Sequence, residues 1–254
     1  MSRFVRAALL IALVPQIVAT TAAAERESQP LPTSRTVRTL EGWTVQVDDR
    51  LLTGEETALG ERAIALLQDR LAEIALILPE DKVARLRQVS IWLDRTHGSL
   101  GSMQYHPSAG WLKEHGYTAD LARCVHIPDA AQFASARHHH QQPWAVLHEL
   151  AHAYHDQVLD FDHPEILAAW ERFRDSGRYE KVLHIDGRET KHYGLTNQKE
   201  FFAEMTEAYF GLNDFYPFHR AELKRDEPQL YELLKTIWGP VPLERQPSRA
   251  DQPN

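Results

Sequence analysis

His148, Glu149 and His152 are the residues of this chain best spaced for chemistry. They form His148-Glu149-Leu150-Ala151-His152, an H-E-x-x-H pattern inside a stretch, Pro143 to about Leu159, that reads as a helix. Side chains four apart on a helix share a face, with Cβ atoms roughly 5–6 Å apart. Two imidazoles so placed can share one Zn²⁺ at Zn–N distances of about 2.0–2.1 Å. Glu149 is offset by one position and can face a water on the metal, which suits a general base. The pattern implies a zinc-dependent hydrolase, with a peptidase as the first expectation.

A tetrahedral catalytic zinc needs a third protein ligand. His155 lies three residues past His152 on the same helix, where three ligands rarely converge, so an outer-shell or surface position is expected for it. The run His138-His139-His140 reads as a solvated loop, with a lid or accessory metal site as the alternative. Asn197-Gln-Lys-Glu200-Phe-Phe-Ala-Glu204 is the better source, because Glu200 and Glu204 are four apart on one helix face. Glu200 would supply the third ligand, and Glu204 could accept the outer N–H of a ligating histidine. Asn197 and Glu200 equally fit a capping box, and one carboxylate cannot fill both roles at once.

At these residues the chain resembles the catalytic domain of anthrax lethal factor and its relatives, which are gluzincin-type zinc metallopeptidases. The resemblance rests on the H-E-x-x-H run, then Tyr193-Gly194, then Thr196-Asn197-x-x-Glu200-Phe201-Phe202-Ala203-Glu204. It covers about residues 143–210. It implies a zincin-like domain, one Zn²⁺ held by His148, His152 and Glu200, Glu149 as base and Glu204 as an outer-shell glutamate. It also implies that Tyr193 faces the metal and hydrogen-bonds the oxyanion or leaving group. Toxicity and host-kinase substrates are not implied, since 254 residues leave no room for receptor-binding or docking domains.

These residues need elements to hold them. Alternation predicts a strand over Trp43–Val47, with further strands at Val89–Leu93 and Arg123–Ile127. A long helix is expected from Glu55 to Leu78, stopped by Pro79. Thr96–Asp120 reads as a loop that contributes to the pocket together with Asn213–Phe218; Tyr105, His106 and Trp111 are candidate lining residues, ordinary packing being the simpler role. After the motif helix, helices are expected over Pro164–Ser176, Asn197–Phe210 and Pro228–Trp238, with a hairpin over Val182–Tyr193 turning at Asp186-Gly187. The fold class is α+β: a small mixed sheet packed on helices, followed by a mainly helical part. The sheet edge near Arg123–Ile127 is the expected place for a substrate backbone to add as a strand.

Residues 1–24 have the basic start, apolar middle and small-residue end of a signal peptide, with cleavage expected after Ala24 and a secreted or cell-envelope destination. Residues 25–35 read as a disordered leader, 36–244 as one domain and 245–254 as a flexible tail. The net charge of −8 argues against nucleic acid or an anionic membrane surface as partner, and no stable membrane association is expected after cleavage. The expected partner is a peptide or protein substrate. Cys124 is the only cysteine, so no intramolecular disulfide can form and a small buried apolar role is expected. Two other functions stay open: a non-catalytic zinc-binding or interaction protein that keeps the fold, and a zinc hydrolase acting on a non-peptide amide or ester.

Overall fold

The computed structural model describes residues 28–242. The expected signal peptide and tail lie outside them. β1 (Arg35–Leu40) and β2 (Trp43–Asp48) form an antiparallel hairpin. β1 carries only one fully buried residue, Leu40, so its sequence shows no two-residue apolar period. The stretch expected to be a leader is partly tied down: Gln29 donates its N–H to the Gly98 carbonyl at 2.8 Å, and Arg35 already belongs to β1.

α1 (Thr57–Ile77) buries Ala63, Leu67, Leu71 and Ile74, the spacing of one helix face. Pro79 ends that helix and also caps α2 (Glu80–Leu86), whose first turn holds Glu80 and Asp81. β3 (Ile91–Leu93) pairs in parallel with β2. β4 (Gln104–Tyr105) and α3 (Ala109–Glu114) lie within the stretch expected to be loop. β5 (Val125–Ile127) is parallel to β3 and antiparallel to β4. The sheet order is therefore β1-β2-β3-β5-β4, a small mixed sheet whose inner strands are nearly continuous buried runs.

This order corrects one expectation. Arg123–Ile127 is not an edge, because β3 and β4 flank Val125–Ile127 on both sides. The free edge beside the motif helix belongs to β4. Two residues are too few to show alternation, which is why that strand is not legible in the sequence.

α4 (Ala130–Phe133) and α5 (Ala136–Gln141) lead into α6 (Ala145–Tyr154), which carries the H-E-x-x-H run. α6 packs on β4, β5 and α1, and its far end widens into a π-helical turn, His155–Leu159. α7 (Pro164–Asp175) starts at its proline. A short hairpin of β6 (Val182–Leu183) and β7 (Glu189–Thr190) follows. α8 (Gln198–Phe210) buries every residue from Phe201 to Tyr209, with α6, α7, α9 (Arg220–Asp226) and α10 (Pro228–Trp238) packed around it. Gly211 follows with φ −137°, outside the left-handed region; it is needed because a Cβ there would overlap the Trp144 indole. No helix among the described residues is long and apolar enough to cross a membrane.

Candidate metal centre

α6 and α8 bring the three expected donors together. His148 Nε2 and His152 Nε2 each lie 3.2 Å from Glu200 Oε2. The two imidazole rings stand 4.7 Å apart, nearly perpendicular. Their spacing on α6 sets this, as the four-residue interval requires. Asn197 caps α8 by accepting the N–H groups of Lys199 and Glu200 at 2.9 and 3.0 Å. The cap is thus made by Asn197 alone, and the Glu200 carboxylate is turned to the histidines.

Glu149 is half-buried, and its Oε2 accepts the Tyr105 backbone N–H at 2.7 Å. Tyr105 is also held at its other end: its hydroxyl donates to Asp156 Oδ2 at 2.5 Å and accepts from Gln157 Nε2 at 3.0 Å. Both partners sit in the π-helical turn. The widened turn therefore fastens β4 along α6, with Glu149 at one end and Asp156 at the other.

The outer-shell assignment differs from expectation. His148 Nδ1 lies 2.7 Å from Glu207 Oε1, whereas Glu204 Oε1 is 3.8 Å away. Position 207 lies one helical turn beyond 204 and falls under the histidine because α8 crosses α6 at this point. The resemblance points at Glu204, and the only sequence signal for Glu207 is its i+3 spacing from Glu204. Glu204 is buried, and its Oε2 has no hydrogen-bond partner among the described residues.

Electrostatics around His148 call for positive charge. Burial disfavours a charged ring, but the Glu200 and Glu207 carboxylates outweigh it and hold the His148 pKa well above the ordinary imidazole value. Burial acts on Glu200 in the opposite direction, raising it, but its contacts to His148 and His152 reverse this and leave its carboxyl well below the usual range. Burial, with Asp214 and Glu207 nearby, raises Glu204, while burial and Glu207 push Asp214 up to about 7. The carboxylates thus favour a proton on His148, and a divalent cation can supply the same positive charge. Two imidazoles and a carboxylate fit a zinc-class ion.

The donors line a cavity of about 610 Å³, walled on one side by Ser102, Met103, Gln104 and Tyr105 and on another by His184, Tyr193, Asp214 and Phe215. Tyr193 is 47% exposed. Burial of its ring and the nearby carboxylates raise its pKa, so its hydroxyl stays a hydrogen-bond donor at neutral pH. Of the histidine run, His138 lines the cavity, and all three residues belong to α5 rather than to a loop. His155 is neither outer-shell nor at the surface: it is fully buried against Phe161 and Phe202, with no hydrogen-bond partner at either ring nitrogen among the described residues. Of the other candidate lining residues, Tyr105 borders this cavity, and Trp111 and His106 line a separate groove of about 300 Å³. Cys124 is buried, and that burial pushes its thiol up to about 11.

Comparison with protein-family models, with curated proteins and with solved structures gave no match to this chain.

Proposed function

We propose that the chain is an exported zinc metallopeptidase of the glutamate-completed type, with a zincin-like catalytic domain. The observation that carries this reading is the convergence of His148, His152 and Glu200 at 3.2 Å, with Glu149 beside them on the wall of an open cavity. The resemblance to lethal-factor-type catalytic domains and the signal-like first 24 residues support the same reading.

His148, His152 and Glu200 would hold the ion, and Glu207 would fix the His148 tautomer by accepting its outer N–H. Zinc, when bound, supplies Lewis-acid polarisation and lowers the pKa of water toward ~7. Glu149 then serves as the proton carrier: its carboxylate takes a proton from the attacking water and gives it to the leaving amine. Burial raises the Glu149 pKa, partly offset by His148 and His152, which brings the base closer in strength to the groups it exchanges protons with. The Tyr193 hydroxyl is the donor for the developing oxyanion or the leaving group. The outer edge of β4, where the Tyr105 N–H already serves Glu149, is the surface beside the cavity along which an extended peptide would lie.

The test is made on the mature chain, residues 25–254, with bound zinc measured and a mixed peptide library screened beside Glu149→Gln. Stoichiometric zinc in both proteins is expected, with cleavage lost by about 10²–10⁴-fold in the variant. Zinc without cleavage by either protein would favour a binding protein or a hydrolase of non-peptide bonds. Absence of zinc would end the proposal.

A further inference from the structure

A second group of ligand-type side chains lies at the carboxyl end of the sheet, and none of its members lines the cavity. Asp94 directly follows β3, His97 sits in the loop leading to β4, and His126 is the middle residue of β5. Asp94 and His126 are fully buried, and His97 is 4% exposed. Asp94 Oδ2 lies 2.7 Å from His97 Nδ1 and 2.9 Å from His126 Nε2. The His97 and His126 rings have centroids 4.7 Å apart and planes at 82°. His148 and His152 show the same separation and the same angle.

Each of these separations is an ordinary hydrogen-bond length, but the donors converge on a single oxygen. Asp94 Oδ2 also receives Arg35 Nη2 at 2.9 Å, so three N–H donors would crowd one oxygen. A carboxylate oxygen offers about two lone-pair sites. A cation between the two ring nitrogens and Oδ2 replaces two of those donors with coordinate bonds. Asp94 and His126 also have outer contacts of the kind that orient ligating groups. Arg35 Nε donates to Asp94 Oδ1 at 2.8 Å, and His106 Nε2 lies 3.3 Å from His126 Nδ1, placed to accept that ring's outer N–H.

We propose that Asp94, His97 and His126 form a structural site for a divalent cation of the zinc class, separate from the candidate catalytic centre. Such an ion ties the β3–β4 loop to β5 and so braces β4, the strand that walls the cavity. The proposal does not depend on the peptidase reading.

Its test uses the full chain carrying His148→Ala, His152→Ala and Glu200→Ala, which removes the catalytic donor set and leaves the buried group intact. After loading with zinc and removal of free ion, about one equivalent is expected to remain, against two in the unaltered chain. No bound zinc in the triple variant, with an unchanged circular dichroism spectrum, would overturn the proposal. Adding His97→Gln and His126→Gln is expected to remove the remaining ion; retention would also overturn it. If those substitutions prevent folding, X-ray absorption of the zinc in the triple variant decides. Two imidazoles in the shell are expected, and a shell without imidazole refutes the site. Failure of the catalytic reading instead appears as equal zinc content in the unaltered chain and the triple variant.

Discussion

Glu207 touches the outer nitrogen of His148 from the neighbouring helix, and Glu149 meets a strand amide on the opposite side. On the proposed reading, the first contact acts on how firmly an ion is held and the second on proton movement. Glu207→Ala is therefore expected to weaken zinc binding about 10–100-fold, read by competition with a chelator. Glu204→Gln, at a residue with no hydrogen bond to His148, is expected to shift the same titration by less. Equal effects would show that the 2.7 Å contact does not order the ring. That His148, His152 and Glu200 meet, with Glu149 beside them, is legible in the sequence, because fixed spacings on two helices determine which faces they share. The Glu207 contact is not, because it depends on the crossing of α6 and α8.

Those two helices meet where Gly211 passes the Trp144 indole with no room for a side chain. Gly211→Ala must push the end of α8 away from the start of α6. Forcing a methyl into such a contact costs about 1–3 kcal/mol. The expected result is a lower unfolding midpoint in denaturant together with weaker zinc binding, since the displaced helix carries Glu200. Unchanged values for both would remove Gly211 from the assembly of the site. Long elements with a periodic apolar face, such as α1 and α10, were legible from sequence, as was the turn at Asp186-Gly187. β4 was not, since it has two residues, and α9 was not, since Leu223 is its only buried side chain. α2 was hidden by reading Pro79 only as a stop, although proline also suits the start of a helix.

Over the whole molecule, acid should weaken the fold through histidines that it holds neutral. Burial pushes both His155 and His192 down to about 3. An unfolded histidine titrates near 6.5. The unfolded chain therefore takes protons first: the stability owed to these two rings is complete above pH ~6.5 and is lost as pH falls toward 3. Each ring adds a slope of up to about 1.4 kcal/mol per pH unit in that window. The melting temperature is expected to fall steeply between pH 6 and 4. His155→Leu removes two unpartnered ring nitrogens and is expected to hold or raise the melting temperature at pH 7 and to flatten the acid slope. A lower melting temperature at pH 7 would show that the imidazole contributes packing that leucine cannot replace.

The contact between His148 and Glu200 joins positions 52 apart in the chain, and that with Glu207 joins positions 59 apart. During synthesis the two histidines leave the ribosome well before the glutamates that complete their surroundings. A nascent chain ending before α8 holds two of the three donors, His148 and His152, and lacks Glu200. On the proposed reading, ion capture is then a late event that reports docking of the C-terminal helices.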